Sequence, residues 1–557
     1  MSGTIHTLAA ALVDEAMAAS PVDATLVGVP GYDHLWTDFS PAGRASLRDL
    51  VASQRDRVLA LSDAGDPWDR LARDVIVTAL DDTIDGYEHD EHYLDLNSLT
   101  SPLQDMREVF DHMDTSDAPA WENVISRLAT LGTAMAGYRS LLEEGRRRGL
   151  TVARRQVLEG VRQARVQAGE SSSFASLAGR LSDAGIGDEA MVARLEDAVA
   201  AARRAFAEMA DYLEQEYLPD AAASDAVGEE RYVRHARRFL GADLDPHATY
   251  RWGWDEVARL RSRMEEVGAQ ISPGASLSEV LHLLQNDPER AASSQEEFRD
   301  LMAARLDQAL IDLDGVHFDV PEPITAVEVK MAPLGGALGA YYLPPSEDYT
   351  RPGTVWFSLG EKRRIPLFDQ VSTVYHEGFP GHHLQAGTQQ ASADRLTRFQ
   401  KLLVWYPGTG EGWALYAEDV MEELGYLETP DYVMGKLASE MLRACRVVID
   451  IGSHLELPIP QGQPFHPGEA WTFEAGVEML VDYAAQDHDT AVSEMNRYLG
   501  WPGQAISYKV GQQAIRDLRA EMQARPGFDM KAFHARILEI GSTGLDVLRD
   551  HVRASAE

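Results

Sequence analysis

The chain has 557 residues, of which 45% are hydrophobic and 25% charged, so its composition is that of a globular protein rather than a disordered one. Its 51 Lys and Arg against 89 Asp and Glu give a formal net charge of −38 at pH 7, which opposes nucleic acid or an anionic membrane as a partner. Cys445 is the single cysteine, so the sequence excludes an intramolecular disulfide and a cysteine-based zinc site.

The N-terminal residues lack the pattern of a secretory signal. Asp14 and Glu15 interrupt their apolar patch, and no basic segment precedes it. No later stretch contains the roughly 18 uninterrupted apolar residues that a membrane helix needs. We therefore expect a cytoplasmic protein.

Amphipathic helices are predicted over the N-terminal half, because apolar residues recur there at three- and four-residue spacing. The predicted helical stretches include 66–87, 119–145, 186–216 and a block at about 247–312. No fixed-period repeat or long linker divides the chain. We place a soft boundary between an N-terminal region, residues 1–250, and a catalytic region, residues 251–557, with one continuous domain as the alternative.

Residues 316–360 have a different texture, with β-branched and alternating residues broken by Gly and Pro, which predicts short strands and turns. Residues 339–345 read as an edge strand that prolines end. Such an edge can pair with an extended peptide through backbone hydrogen bonds. Tyr341 and Tyr342 are therefore candidate substrate contacts, and packing residues are the alternative.

Helix is predicted again after this region. The stretches are 368–378, 410–424, 430–453, 467–484, 487–498, 502–522 and 530–548. The predicted fold class is therefore mainly α, with one small β-sheet at about 316–360.

The motif HEGFPGHH at residues 376–383 is the most informative feature. In the usual signature of zinc peptidases, two histidines lie four residues apart on one helix, and the glutamate after the first polarises a water. Here the fourth residue after His376 is Pro380, which cannot donate to the carbonyl of residue 376, so the helix should break or bulge. On an unbroken helix, His376 and His383 would lie about 10.5 Å apart along the axis, too far to share one zinc ion.

A local bulge that ends at Gly381 would bring His382 to the position of the usual second histidine. We therefore predict that His376 and His382 bind one divalent metal ion, with Zn²⁺ as the first choice, and that His383 is the rival second ligand. Glu377 is the predicted general base. A structural hydrogen bond in the core is the alternative for each histidine.

A third ligand is predicted at Glu411, which follows a Pro-Gly turn at the start of a helix. A helix, a loop and a returning helix can place it beside His376, and catalytic zinc sites commonly have three protein ligands. Glu418 lies seven residues further on the same helical face. It could orient a metal-binding histidine, and an exposed acidic face is the alternative for both glutamates.

HEGFPGHHLQ followed by EGWALYAED resembles the bacterial family known as domain of unknown function 885, and the resemblance covers most of the chain. The catalytic half is also similar to zinc metallocarboxypeptidases of the thermostable carboxypeptidase Taq type. That similarity implies a zincin-like helical body, split by a substrate groove that residues 1–250 cover, with the small sheet at its edge. Carried over residue by residue, it implies ligand roles for His376, His382 and Glu411, with Glu377 as base and Glu418 as companion.

Two residues near the C-terminus are further candidates. Tyr508 follows a Pro-Gly turn in a predicted helix and could donate to the oxyanion of the transition state, with a core or capping tyrosine as the alternative. Gly511 and Gln512 resemble a glycine and glutamine pair near the groove of the Taq-type enzymes, which makes Gln512 a candidate substrate contact.

Arg443, Arg446, Asp450 and His454 recur at three- and four-residue spacing along one predicted helix. One interpretation is an internal ladder of salt bridges, which we favour for Arg443. In the other, Arg446 anchors a substrate carboxylate, His454 donates to the transition state, and Asp450 supports the metal ligands from outside.

Together these patterns predict a metal-dependent peptidase, with the carboxypeptidase or short-peptide form implied by the resemblance alone. One alternative is a metal-dependent hydrolase of a small amide or ester metabolite. Another is a degenerate, peptidase-like binding protein whose metal site the longer motif has spoiled. The sequence leaves the oligomeric state open, a homodimer included.

Overall fold

The computed structural model of the protein describes residues 4–62, 65–332, 339–346, 349–392 and 395–555. The described chain is mainly helical with small sheets, which confirms the predicted fold class at that level. Within these ranges, no helix combines the length and the apolar character needed to cross a bilayer.

The chain forms two compact units by its internal contacts. The first contains Met1–Asp63, Ile76–Ala226 and Leu499–Trp501, and the second contains Ala64–Val75, Val227–Tyr498 and Pro502–Glu557. The main division thus falls between Ala226 and Val227, whereas the sequence placed a soft boundary near residue 250.

The N-terminal helices include the three stretches predicted before residue 220. They are α1 Thr4–Ala19, α2 Pro21–Leu26, α3 Pro41–Leu59, α4 Pro67–Glu88, α5 Pro102–His112, α6 Ala118–Arg147, α7 Arg154–Ala168, α8 Leu177–Ala184 and α9 Glu189–Tyr212. In the first unit, α6 and α9 bury apolar faces that include Trp121, Leu128, Leu195 and Phe206. Burial of each such side chain contributes about 1.5–3 kcal/mol relative to exposure.

The remaining helices overlap every stretch predicted after residue 247, and two further helices, at 382–391 and 398–403, were not predicted. In chain order, the remaining helices are α10 Glu229–Leu240, α11 Pro246–Ile271, α12 Leu277–Asn286, α13 Gln295–Leu313, α14 Gln370–Glu377, α15 His382–Ala391, α16 Arg398–Leu403, α17 Pro407–Glu423, α18 Pro430–His454, α19 Phe473–Asp482, α20 His488–Gly500, α21 Ser507–Gln523, α22 Met530–Ile540 and α23 Leu545–Ala554. The prediction of a single helix over 530–548 is wrong. The helix ends at Ile540, because the next residue, Gly541, has a positive φ of 75° that an α-helix does not use.

Five short strands are described: β1 Ala291–Ala292, β2 Val327–Met331, β3 Gly339–Leu343, β4 Gly353–Ser358 and β5 Ile365–Pro366. β1 pairs with β5, while the larger sheet has the order β2-β4-β3, with β2 parallel and β3 antiparallel to β4. The buried β4 lies in the middle. β3 is therefore an edge strand within the described residues, as its proline-bounded sequence predicted.

Small residues allow α17 and α21 to pack closely in the second unit. A Cβ atom on Gly412 would lie 2.6 Å from the carbonyl carbon of Gly511, and one on Gly511 would lie 1.9 Å from the carbonyl oxygen of Gly408. Because these distances leave no room for a side chain, the two helix backbones are in direct contact. This contact brings the helix that carries Glu411 against the helix that carries Tyr508.

Buried ion pairs also hold α17, α18 and α21 together. Lys436 Nζ lies 2.6 Å from Asp419 Oδ1, and Lys509 Nζ lies 2.5 Å from Glu440 Oε1. Arg516 reaches both carboxylates, at 2.6 Å from Asp419 and 3.3 Å from Glu440. Removal of one partner from a buried ion pair costs about 3–5 kcal/mol. The charges therefore fix how these helices sit beside one another.

Candidate metal centre

The helix break predicted at Pro380 is confirmed. α14 ends at Glu377 and α15 begins at His382. In the turn between them, the backbone N–H of Gly381 donates to the carbonyl of Tyr375 at 3.0 Å. A Cβ atom on Gly381 would lie only 1.9 Å from the carbonyl oxygen of His376. The glycine thus lets the chain fold back tightly enough for the second histidine to return to the first.

Two histidines and one glutamate converge at this turn. Glu411 Oε2 lies 3.4 Å from His376 Nε2 and 3.6 Å from His382 Nε2. The two imidazole rings are perpendicular, with centroids 5.0 Å apart. One donor atom from each of the three side chains lies within 4.8 Å of the other two. Among the described residues, this is the group of three or more His, Cys, Asp or Glu side chains that could hold a metal ion.

The donor set suits a divalent cation. Ligand atoms bound tetrahedrally at about 2.1 Å from one zinc ion lie about 3.4 Å apart, close to the 3.4 and 3.6 Å separations of the histidine nitrogens from Glu411 Oε2. Two imidazoles and one carboxylate are a donor set that catalytic zinc sites use with one open position. Mn²⁺ and Co²⁺ also accept such donors.

Side chains outside the cluster hold both imidazoles in place. Glu418, buried in α17, lies with Oε1 at 2.9 Å from Nδ1 of His376, and the hydroxyl of Ser372 donates to its other oxygen. Nδ1 of His382 lies 3.3 Å from Oε1 of Gln385. Protons on both Nδ1 atoms leave each Nε2 free to bind a cation. Glu418 was predicted from the sequence, whereas Ser372 and Gln385, one helical turn before His376 and after His382, were not.

The electrostatics of the cluster favour positive charge. Burial alone would raise the pKa of Glu411, but the imidazoles of His376 and His382, 3.4 and 3.6 Å away, hold it below its usual range. Burial likewise would lower the pKa of His376, but Glu411 and Glu418 raise it to about 10. The negative charge of Glu377 acts in the same direction on both histidines. Three carboxylates therefore surround two imidazoles, an arrangement that attracts a cation.

Glu377 lies beside the cluster without belonging to it. It is the last residue of α14, half-buried, and its charge raises the pKa of both His376 and His382. It is not one of the three side chains whose donor atoms converge. Its carboxylate therefore acts electrostatically on the cluster without being one of the three converging groups.

His383, the rival ligand, is directed elsewhere. Its Nδ1 lies 2.9 Å from the hydroxyl of Tyr342, and its Nε2 lies 2.8 Å from the carbonyl oxygen of Ile324. The side chain is fully buried, and burial lowers its pKa to about 4. Because both ring nitrogens already have hydrogen-bond partners, the structure does not bring His383 to the metal cluster.

Arg446 does not have the free guanidinium that a substrate anchor needs. It forms a buried ion pair with Glu494 at 2.8 Å, and its Nε donates to the hydroxyl of Tyr498 at 3.0 Å. The guanidinium carbon lies 4.8 Å from the ring centre of Tyr508. Arg446 is therefore not available as the predicted substrate anchor. Its guanidinium packs against the ring of Tyr508 instead.

Tyr508 itself lies near the cluster and is half-buried. Burial raises the pKa of its phenol, and the negative charge of Glu411 raises it further. The phenol therefore keeps its proton at neutral pH and can act as a hydrogen-bond donor.

Three other predicted site residues lie in buried networks away from the cluster. Gln512 donates to Asp419 at 2.8 Å and accepts from Lys509 at 3.0 Å, so its amide belongs to the ion-pair network. Asp450 accepts hydrogen bonds from Tyr232 and from the backbone of Gly503. His454 is fully buried, with Nε2 at 3.0 Å from the carbonyl oxygen of Tyr498. None of the three presents its polar group to a substrate.

The two tyrosines of β3 point to opposite faces of the sheet. Tyr341 is 49% exposed and stacks on Trp356, with ring centroids 6.4 Å apart. Tyr342 points inward, where its hydroxyl meets His383. Direct substrate contact is therefore open to the side chain of Tyr341, whereas the hydroxyl of Tyr342 is already committed.

Arg443 does not belong to the salt-bridge ladder that the sequence suggested. Its Nη1 donates to the carbonyl oxygen of Ser439 at 2.9 Å, and its buried Nε has no hydrogen-bond partner. No carboxylate lies within 4 Å of its guanidinium among the residues that the structure describes. Burial and the neighbouring Arg446 lower its pKa, while the charges of Glu418 and Glu411 act against them. Among the described residues, no carboxylate is therefore paired with this half-buried cation, which lies near Glu411 and Glu418.

Two solved structures are similar to the whole chain. A putative lipoprotein from Colwellia psychrerythraea has a TM-score of 0.85 at 22% identity, with 100% of this chain and 99% of that chain covered. A putative lipoprotein of unknown function from Shewanella oneidensis has a TM-score of 0.77 at 17% identity, with 100% of both chains covered. At these identities the likeness concerns the fold alone.

Among curated proteins, none matches this chain. One protein family matches residues 21–552, which is nearly all of the sequence. The match includes the turn between α14 and α15 and the start of α17, where the three donor side chains converge. The chain belongs to the family described as bacterial protein of unknown function, DUF885.

Proposed function

We propose that the protein is a metal-dependent hydrolase of peptide bonds with one divalent ion, Zn²⁺ being the first choice, bound by His376, His382 and Glu411. The observation that carries this proposal is the convergence of the three donor atoms within 4.8 Å of one another, beside Glu377. If the three converging side chains had only a structural role, Glu377 would not need to lie half-buried beside them. We include in this proposal that the fold is zincin-like and that the site is similar to that of Taq-type carboxypeptidases.

The residues around the cluster have distinct roles in this chemistry. A bound divalent cation would supply positive charge that polarises a carbonyl group and acidifies a water. Glu377 accepts a proton from the attacking water and passes it to the leaving amine. Glu418 and Gln385 hold the two imidazoles in the orientation and protonation state that the ligands require.

Tyr508 is the proposed donor to the oxyanion of the transition state. Burial and the charge of Glu411 keep its phenol protonated, and the guanidinium of Arg446 lies against its ring. A donor fixed in advance stabilises developing negative charge without reorganisation. The former candidate His454 is fully buried and does not take this role.

The substrate that we propose is an extended peptide with a free C-terminal carboxylate. The edge strand β3 can pair with a peptide backbone. This agrees with the proposed fold, in which the small sheet lies at the edge of a substrate groove. Arg443, rather than Arg446, is the proposed carboxylate anchor, because no carboxylate among the described residues pairs with it, whereas Glu494 pairs with Arg446. The guanidinium fork matches a carboxylate in two parallel hydrogen bonds.

Arg443→Lys is expected to raise KM for peptides with a free C-terminus by about 10- to 100-fold, because a hydrogen bond to a charged group contributes about 1.5–3 kcal/mol. Steady-state kinetics on matched free and C-terminally amidated peptides measure the effect. The amidated peptides serve as the control, and their KM should stay unchanged. An equal loss on both peptide series would contradict the anchor.

Metal analysis and a peptide-library digest test the proposed function as a whole. Protein purified without chelator should contain about one equivalent of a divalent ion, and mass spectrometry should find cleavage at a fixed distance from the C-terminus. Removal of the ion should abolish cleavage, and its return should restore it. A protein that binds metal but leaves every peptide intact would favour a small-metabolite amide or ester hydrolase, and one without metal would favour a binding protein.

A further inference from the structure

His383, which does not face the metal cluster, joins three separate parts of the second unit. Its side chain is fully buried in the first turn of α15. One ring nitrogen meets the hydroxyl of Tyr342 on the edge strand β3 at 2.9 Å. The other meets the carbonyl oxygen of Ile324, just before β2, at 2.8 Å. The residue next to the ligand His382 is therefore attached directly to the edge of the sheet.

The direction of these two hydrogen bonds follows from their chemistry. The carbonyl oxygen of Ile324 can only accept, so Nε2 of His383 carries the proton. Nδ1 of the neutral ring is then an acceptor, and the hydroxyl of Tyr342 donates to it. Each ring nitrogen is used once, in the role that its neighbour requires. This complementarity fixes the orientation of the ring relative to β3.

Two glycines pack against the side chains of this hydrogen-bonded contact, where a Cβ atom would be too close. A Cβ atom on Gly353 would lie 2.2 Å from the hydroxyl oxygen of Tyr342 and 2.7 Å from Nδ1 of His383. A Cβ atom on Gly387 would lie 2.5 Å from Cδ1 of Ile324. At these distances, a larger residue at either position would displace the side chain of Tyr342, His383 or Ile324.

Within the described residues, β3 has a paired strand, β4, on one side only. Tyr341 and Leu343 are 49% and 40% exposed, while Tyr342 between them points inward to His383. The strand thus presents backbone hydrogen-bonding groups and two exposed side chains, and its inward residue is attached to the metal-binding turn.

We infer that His383 is a positioning residue that fixes the edge strand β3 relative to His382, so that an extended peptide paired with β3 reaches the metal centre in a defined register. The inference rests on the proposed function and adds to it how the substrate backbone is aligned. It applies to peptides long enough to pair with the strand. A dipeptide, which cannot pair with β3, does not depend on this connection.

Tyr342→Phe in the full chain tests the inference, since it removes only the hydroxyl. We expect KM for peptides of about eight residues to rise about five- to tenfold, as the loss of one neutral hydrogen bond predicts. The kinetics of a dipeptide and the metal content should not change. Tyr212→Phe is the matched control, because it removes a tyrosine hydroxyl that contacts Glu143 in the first unit, and it should leave both substrates unaffected.

His383→Gln provides a second variant, and its effect on long peptides should not add to that of Tyr342→Phe, because both act through one contact. Equal losses on long peptides and dipeptides, or full additivity, would overturn the inference. Hydrogen exchange of the β3 amides, which needs no activity, should be faster in both variants, and unchanged exchange would show that the contact does not hold the strand. Inactivity of the unmodified protein would instead refute the proposed function.

Discussion

Glu377→Gln is expected to lower peptide hydrolysis by about 10²- to 10⁴-fold, the contribution typical of a general base. Glutamine has nearly the same shape but cannot accept a proton at neutral pH. Because Glu377 lies beside the cluster and outside the three converging ligands, the variant should keep its metal. Steady-state kinetics and metal analysis on the same preparation measure the two effects.

Glu418→Gln is the matched control for this experiment. The same chemical change is then made at a buried carboxylate that accepts from Nδ1 of His376. Loss of such an outer partner typically costs 10- to 100-fold in metal affinity or activity, so excess metal should restore much of the rate. Undiminished hydrolysis by Glu377→Gln would refute its role as base, and loss of metal from that variant would make Glu377 a ligand.

His382→Ala is expected to lose the metal, whereas His383→Gln should retain about one equivalent. Nε2 of His382 lies 3.6 Å from Glu411 Oε2, while both ring nitrogens of His383 are hydrogen-bonded to Tyr342 and Ile324. Removal of a direct ligand should weaken binding by more than the 10- to 100-fold typical of an outer partner. Equilibrium dialysis followed by metal analysis gives both affinities.

These neighbouring variants serve as controls for each other. Circular dichroism should show a native helical signal for both, so that a difference in metal content reflects the site rather than unfolding. If His383→Gln loses the metal and His382→Ala retains it, the assignment of the second ligand is reversed. Retention by both would mean that the cluster does not bind metal as we propose.

The helix break could be predicted because its cause is local. Proline at position 380 lacks the backbone N–H that a continuous helix needs, and the structure ends α14 at Glu377. The edge strand was predicted on similar grounds, from the prolines that follow it. The split between α22 and α23 was missed, although Gly541 in that segment was a local signal.

The choice between adjacent candidates could not be predicted. His382 and His383 are neighbours at the start of α15, and what separates them is contact with residues 41 and 59 positions away, Tyr342 and Ile324. Arg443 and Arg446 lie three residues apart on α18, and the distant Glu494 neutralises only Arg446. Local spacing contains no information on such partners.

The sequence by itself determined the mainly helical class, the edge strand and the break that Pro380 imposes, because backbone sterics and hydrophobic periodicity act over a few residues. It also predicted that His376, His382 and Glu411 lie together, which the structure shows. Only the tertiary structure decided which histidine nitrogens lie near Glu411 and which arginine on α18 has a carboxylate partner. Those properties depend on contacts between side chains that are far apart in the chain, and packing of the whole second unit sets them.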